Sequence, residues 1–241
     1  SFCETLMKKN DIIFNRLIYI IIQMETNGPL MRSRCVILEM LRMRGYDTSS
    51  CDMSISVGDN DNNPKPIKLT RNDENEIQVH YEIMKKTQHK KLFNTDDGLI
   101  DMVVKNREPS NKELDLTLVI VLRDKSTPTV VNAINKAMEK YKIFIQVFTI
   151  RSLMYNITKH QIVPTHERID NESSIELLHG KDGTSGLLDS LHIDHEKKLP
   201  HILDCDPVAM FIGLRPGEIC KITRPSQSAG VHVVFRYCVR S

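Results

Sequence analysis

A dense series of aspartate, proline and glycine residues near the C-terminus constrains the fold of this chain more than any other feature. Asp206 followed by Pro207 is a typical helix start. An aspartate side chain accepts hydrogen bonds from the free amides of the first turn, and proline loses no bond at the first helical position. We therefore predict a turn of helix over residues 208–212 that ends at Gly213, because glycine adopts the left-handed conformation that closes a helix.

A proline–glycine turn then directs the chain from this helix into a strand. Pro216 and Gly217 occupy the two central positions of a type II turn, which leads into a strand over residues 219–223. We predict that Arg224 and Pro225 end this strand, since proline has no amide to donate to a sheet.

The last strand, over residues 231–239, follows a loop at 226–230 and is apolar at most positions on both faces. A strand of this kind is expected to be covered on both sides. The C-terminal unit is too small to cover both faces of this strand with its own residues. Because Lys221, Arg224 and Arg236 add charge beside it, we interpret this surface as one that docks onto another protein.

The same C-terminal stretch resembles the signature of the RNA polymerase subunit that the three eukaryotic nuclear polymerases share and that has a counterpart in the archaeal polymerase. Residues 156–166 resemble a second block of this family, and residues 32–46 a weaker third. Two positions depart from the eukaryotic pattern: Pro216 and Val231 stand where a basic residue is usual, and Pro216 is closer to the archaeal form. The C-terminal signature is carried by Leu199, Pro200, Ile202, Asp206, Pro207, Val208, Ala209, Gly213, Leu214, Gly217, Lys221, Ile222, Arg224, Ser226, Ala229, Gly230 and Arg236.

This resemblance implies a non-catalytic subunit of a multisubunit DNA-directed RNA polymerase. The C-terminal domain would anchor it to the largest subunit, beside other polymerase subunits, and the N-terminal domain would form part of the jaw around downstream duplex DNA. The resemblance also implies a restriction-endonuclease-like fold for the N-terminal domain, and no cofactor or metal in this chain. The polymerase-assembly surface expected on this basis comprises His160, Pro164, His166, Pro200, Asp206, Pro207, Gly213, Gly217, Lys221, Arg224, Gly230 and Arg236.

The clearest unit upstream is a strand, a helix and a strand at residues 116–122, 128–141 and 143–148. The first strand is nearly continuously apolar, which is typical of a strand buried on both faces. Three elements in such close succession indicate a right-handed parallel crossover. The sequence thus predicts an α/β domain over residues 30–148 and a smaller α+β domain over 149–241, preceded by a helical extension at 1–29.

Further elements are predicted around this unit. The arginines of the helix over 30–44, at positions 32, 34, 42 and 44, should be solvated. The strand over 76–84 alternates, with Ile77, Val79, Tyr81 and Ile83 on one face and mostly polar residues on the other. The predicted elements are an amphipathic helix within 1–28, helices over 30–44 and 98–105, a loop over 51–66, a strand over 76–84 paired with Ile67 and Leu69, and short helices over 173–178 and 189–198.

One loop has the composition of a phosphate site. Arg123, Lys125, Ser126 and Thr127 join a buried strand to a helix N-terminus, where free amides and the helix dipole favour an anion. The resembled family has a Thr-Pro motif here, on the side that faces downstream DNA. The simpler alternative is that Thr127 caps the helix, and both roles are compatible.

Catalytic chemistry finds little support in the sequence. A nuclease of the restriction-endonuclease type needs a carboxylate and an acidic-x-Lys motif at a strand end to hold a divalent metal. Glu113 and Asp115 are candidate carboxylates, but the only notable acidic-x-Lys motif begins at Glu196, in the linker. His192 and His195 have no third ligand beside them, so a metal site is not expected.

Composition further limits the kind of protein and the compartment that we expect. The chain has 33 basic and 31 acidic residues, so any contact with DNA is expected to be local and shared with partners. Its 6 cysteines form no CxxC pair, which suits a reducing compartment. The apolar run at 18–22 is too short to span a membrane. We expect a nuclear protein or, if a large DNA virus encodes it, a virion or viral-factory protein; the alternative functions are a free-standing nucleic-acid-binding or regulatory protein and, third, a degenerate nuclease.

Overall fold

The chain divides into two compact units, Ser1–Tyr155 and Asn156–Ser241, in the computed structural model. The predicted helix within residues 1–28 falls mainly outside the described residues. So does the stretch at 181–186, which we expect to be an insertion relative to the resembled family. The structure describes residues 28–51, 57–58, 61–71, 75–83, 98–107, 114–169, 176–180, 186–226 and 230–241.

A four-stranded sheet forms the centre of the first unit, in the order β3-β4-β5-β6. β3 is antiparallel to β4, whereas β4, β5 and β6 run parallel. Helix α3 connects β5 to β6, so the predicted parallel crossover is confirmed. The strands are β3 (Ile67–Arg71), β4 (Asn75–Glu82), β5 (Asp115–Leu122) and β6 (Phe144–Thr149), and the helices are α1 (Gly28–Met43), α2 (Leu99–Lys105) and α3 (Pro128–Tyr141).

The apolar residues of β5 explain why helices pack on this sheet. Leu116, Leu118, Ile120 and Leu122 lie on one face and form a buried cluster with residues of α2 and α3. All residues of β5 after the first are buried, as expected for a parallel strand covered on both faces. The unit is therefore α/β, as predicted.

Two predictions in this unit are wrong, one about a charged residue and one about a polar loop. Arg34 is buried rather than solvated, because its Nη1 donates to the backbone oxygen of Lys65 at 3.3 Å. On the mostly polar face of β4, Glu76 is buried and ion-paired with Arg107. Within the predicted loop at 51–66, the structure has a short antiparallel ribbon of β1 (Val57–Gly58) and β2 (Asp61–Pro64).

The second unit contains another four-stranded sheet, in the order β7-β9-β10-β8. β8 runs parallel to β10, and the other pairs are antiparallel. Together with its short helices, this sheet gives the α+β character predicted for the C-terminal part. The strands are β7 (Thr165–Ile169), β8 (His201–Leu203), β9 (Ile219–Ser226) and β10 (Gly230–Val239), and the helices are α4 (Leu187–Ser190) and α5 (Pro207–Ile212).

Two sequence predictions in this unit are also wrong. The helix predicted over 189–198 is broken into α4 and a 3-10 turn at Glu196–Lys198, because His192 has a left-handed φ of 54° between them. β9 continues through Pro225 to Ser226. Its pairing with β7 ends at Thr223, so the missing amide of Pro225 costs no bond to that neighbour.

Candidate docking groove in the C-terminal unit

The helix start at Asp206 is confirmed. Its Oδ1 accepts hydrogen bonds from the amides of Val208 and Ala209 at 2.9 and 3.2 Å. α5 ends at Gly213, which has φ 75° and ψ 30°, the left-handed conformation predicted there. This short, firmly capped helix places the buried side chain of Val208 beside the sheet.

The predicted proline–glycine turn is also present. The amide of Glu218 donates to the oxygen of Arg215 at 3.1 Å, and Gly217 has the positive φ of 95° that a type II turn requires. The amide of Gly217 donates to the oxygen of Cys238 at 2.9 Å, and the amide of Cys238 donates to the oxygen of Glu218 at the same distance. The turn is thereby tied to the final strand.

These elements surround a groove of about 540 Å³ on one face of the C-terminal sheet. Its floor includes Ile222 and Val234, which lie opposite each other on β9 and β10. Polar and charged side chains lie among the apolar ones. The lining residues are Ile162, Val163, Pro164, His166, Pro200, Ile202, Asp206, Val208, Ile222, Arg224, Val234 and Arg236.

The structure brings half of the sequence-predicted assembly residues together in this groove. Those that line it are Pro164, His166, Pro200, Asp206, Arg224 and Arg236. Those outside its lining are His160, Pro207, Gly213, Gly217, Lys221 and Gly230. Lys221 is next to Ile222 in β9, so its side chain points to the opposite face, where it pairs with Glu167 at 3.1 Å.

Hydrogen bonds hold the polar groups of the groove in place. Arg236 Nη1 donates to the backbone oxygen of His201 at 2.9 Å, and Arg224 Nε donates to His232 Nδ1 at 3.2 Å. His166 Nδ1 lies 2.8 Å from the oxygen of Pro164. The carboxylate of Asp206 is already engaged with α5. The groove thus offers a partner an apolar floor with two fixed guanidinium groups.

Large exposed apolar side chains lie in the groove lining and on the opposite face of β10. Ile162 is 84% exposed, Val231 60% and Val233 40%. Within β10 only Cys238 is buried, so the cover expected on both faces of the last strand is not supplied by the described part of the chain. Exposed apolar groups that lie close together on a surface are typical of an interaction site, and here each face of β10 has apolar groups of this kind.

Sequence reasoning missed several of the groove residues. Ile162, Val208 and Val234 are apolar residues whose contribution depends on how three separate segments meet. The one sequence feature that could have indicated such a residue is Ile162, an isoleucine in a loop beside Pro164. A large apolar side chain exposed in a loop is often covered by a partner protein.

The loop predicted to contact phosphate is accessible in the first unit. Arg123 and Lys125 are exposed, and Thr127 occupies the N-cap position of α3. The backbone oxygen of Thr127 accepts from the amides of Val130 and Val131 at 2.9 and 3.1 Å, but its side chain makes no capping bond. Thr127 therefore marks the helix start without using its hydroxyl group as the cap.

The two buried thiols of the C-terminal unit are unreactive, and the described parts of the chain hold no metal cluster. Burial raises the pKa of Cys220 to about 11 and that of Cys238 to about 12, so both remain protonated. The described residues include no group of three His, Cys, Asp or Glu side chains placed to hold a metal ion. They also include no helix that is both long and apolar enough to cross a membrane.

Comparison with known proteins gives consistent matches. Residues 155–238 match the family model described as RNA polymerase Rpb5, C-terminal domain. The chain is 30% identical over 225 residues to the RPABC1 subunit of RNA polymerases I, II and III from Caenorhabditis elegans, covering 87% of this chain and 95% of that protein. It is 35% identical over 121 residues to the corresponding Dictyostelium discoideum subunit, covering 50% of this chain and 56% of that relative. It is 28% identical over 211 residues to RNA polymerase V subunit 5A of Arabidopsis thaliana, covering 84% of each.

Proposed function

The chain belongs to the Rpb5 family of RNA polymerase subunits, and we infer that it is a non-catalytic subunit of a multisubunit DNA-directed RNA polymerase. The observation that carries this inference is the match over 95% of the length of the Caenorhabditis elegans relative. It agrees with a C-terminal unit that has a docking groove.

We propose that the C-terminal groove anchors the chain to the largest polymerase subunit. Support comes from its apolar floor at Ile222 and Val234 and from the fixed guanidinium groups of Arg224 and Arg236. The exposed side chain of Ile162 extends this surface. Burying such side chains in a partner releases water and contributes roughly 25 cal/mol for each Å² of apolar area.

The N-terminal domain would form part of the jaw near downstream duplex DNA. The support is the exposed loop containing Arg123, Lys125, Ser126 and Thr127, whose cations precede the N-terminus of α3. We also propose that this domain comprises residues 30–148 and has a restriction-endonuclease-like fold. In the sequence it follows a helical extension at 1–29 and precedes the polymerase-assembly domain at 149–241. The subunit would act in the nucleus, with a virion or viral factory as the alternative for a virus-encoded polymerase.

Affinity purification at moderate salt tests the subunit assignment. The full chain would carry a tag at its N-terminus, and the proteins recovered with it would be identified. Recovery of the two largest polymerase subunits in near-equal amounts is the expected result. A chain that elutes alone and monomeric would overturn the assignment and favour a free-standing nucleic-acid-binding protein. Metal-dependent cleavage of DNA by the isolated chain would instead favour a nuclease.

A further inference from the structure

The final strand has one side that is only partly paired. β8 pairs with β10 over three residues, Tyr237, Cys238 and Val239. On the other side, β9 pairs with β10 from Gly230 to Tyr237. In the part of the chain that the structure describes, residues 230–236 of β10 therefore have no strand on the β8 side.

The hydrogen bonds at the end of β10 show which backbone groups face that open edge. The amide and oxygen of Cys238 bond toward the β9 side, to Glu218 and Gly217. The amide of Tyr237 bonds toward the β8 side, to the oxygen of Pro200 at 2.9 Å. Since backbone direction alternates along a strand, the amides and carbonyls of Val231, Val233 and Phe235 point to the open edge.

From Gly230 to Phe235 this edge has no proline, bulge or formal charge that would protect the strand from pairing, and its one charged residue, Arg236, lies at the end next to β8. Natural edge strands carry charges, proline or bulges that discourage an added strand. The opposite edge of this sheet follows that rule, because β7 presents Glu167 and Arg168. The open part of β10 instead exposes Val231 by 60% and Val233 by 40% over a length of roughly 20 Å.

The charges beside the open edge indicate what kind of segment fits. On the groove face, Arg224 pairs in register with His232, and Arg236 follows two positions after the groove residue Val234. The opposite face carries the exposed Val231 and Val233. An added strand would therefore place one row of side chains beside His232 and the cation of Arg236, and the other row beside the valines.

We propose that an extended segment of a neighbouring polymerase subunit, alternately acidic and apolar, adds to β10 as a further strand of this sheet. The segment lies in line with β8 and beside residues 230–236. Its backbone bonds to Val231, Val233 and Phe235, its acidic side chains lie near Arg236 and His232, and its apolar side chains cover the valines. This inference rests on the proposed function, because it specifies how the polymerase engages the same C-terminal unit.

Hydrogen exchange in the full complex tests the strand addition directly. The amides of Val231, Val233 and Phe235 should exchange at least about tenfold more slowly in the purified polymerase than in the free chain, because strand pairing protects them. The amides of His232 and Val234, which face β9 in both states, provide the internal reference. Equal exchange of the three edge amides in both states would overturn the proposal.

Substitutions provide an independent test of the same edge. Val233→Pro removes an amide that faces the open edge and leaves the β9 ladder intact, so recovery of polymerase should fall at least about tenfold. Val233→Thr keeps the amide and should be recovered like the wild type. Thermal unfolding of both free chains checks that each is folded. A folded Val233→Pro chain recovered at the wild-type level overturns strand addition while the subunit assignment stands, whereas a wild-type chain that recovers no polymerase overturns the assignment itself.

The charge of the added segment is tested at Arg236. Arg236→Glu should weaken recovery of polymerase, because it places a carboxylate beside an acidic strand, and Arg236→Lys should preserve it. Equal recovery of the two variants would overturn the acidic character of the segment. Rescue of Arg236→Glu by raising the salt concentration would support it.

Discussion

Arg107 Nε lies 3.0 Å from Glu76 Oε2, and the two side chains are only 8% and 4% exposed. Arg107 Nη2 also donates to the oxygen of Leu114 at 2.8 Å, and Gln78 donates to the other oxygen of Glu76. This pair explains how a polar residue of β4 can lie inside the first unit. Removing one partner of a buried pair costs about 3–5 kcal/mol, since the other is left as an uncompensated charge.

We therefore predict that Arg107→Met lowers the free energy of unfolding by about 3–5 kcal/mol in urea denaturation. The double variant Glu76→Gln/Arg107→Met should recover part of this loss, because it removes the stranded charge and keeps an acceptor for Gln78. Arg123→Met is the surface control and should change little. A double variant as unstable as Arg107→Met would contradict this account of the pair.

His80 should make the stability of the chain depend on pH. Burial, followed by the charge of Lys68, lowers the pKa of its imidazole from 6.5 to about 4. The unfolded chain then binds a proton more readily between these two values. Stability contributed by neutral His80 is present above pH 6.5 and falls as the pH drops toward 4, by at most about 3 kcal/mol.

Urea denaturation at a series of pH values measures this dependence. His80→Gln keeps a polar side chain near Gln78 but cannot titrate, so its stability should fall less between pH 6.5 and pH 4 than that of the wild type. Parallel curves for the two proteins would exclude His80 as the source.

The capping bonds of Asp206, a residue of the groove lining, predict that removing them lowers the stability of the chain. Asp206→Ala should lower the free energy of unfolding by about 1 kcal/mol, because two amides at the start of α5 lose their acceptor. Asp206→Asn retains an acceptor oxygen and should lose much less. Thermal unfolding of the three chains distinguishes these outcomes, and equal losses for the two variants would show that charge rather than capping matters.

Because the loop before α3 is exposed, we predict that a charge change there weakens DNA binding and leaves the stability of the chain unchanged. Lys125→Glu should weaken the association of the assembled polymerase with DNA, because it places a negative charge near phosphates. Lys136→Glu makes the same change in net charge on the exposed part of α3 and serves as the control. In a salt titration, the Lys125 variant should release DNA at lower salt than the control; identical retention would remove this loop from the DNA interface.

Local sequence chemistry predicted the parts of the fold that depend on neighbouring residues. Asp206–Pro207, Gly213 and the Pro216–Gly217 turn lie where expected, because capping and positive φ are set within a few residues. The parallel crossover was equally predictable from the apolar run in β5. These features required no knowledge of distant contacts.

The predictions were wrong where a residue distant in sequence changes the burial or the pairing that a local pattern predicts. Arg34 was predicted to be solvated, but the distant backbone oxygen of Lys65 accepts a hydrogen bond from it. The polar pattern of β4 likewise gives no sign that Glu76 pairs with Arg107, 31 residues away. Pro225 remains in β9 because the pairing of β7 ends at Thr223. The groove depends on several separate segments, so sequence chemistry could supply some of its members but not their arrangement.

The central claim is that the polymerase binds this groove, and a paired affinity purification tests it most directly. Val234→Glu places a carboxylate on the apolar floor, whereas Val131→Glu makes the same change at an exposed position of α3. The account predicts that the wild type and Val131→Glu recover the largest polymerase subunit and that folded Val234→Glu does not. Full recovery by folded Val234→Glu would contradict it.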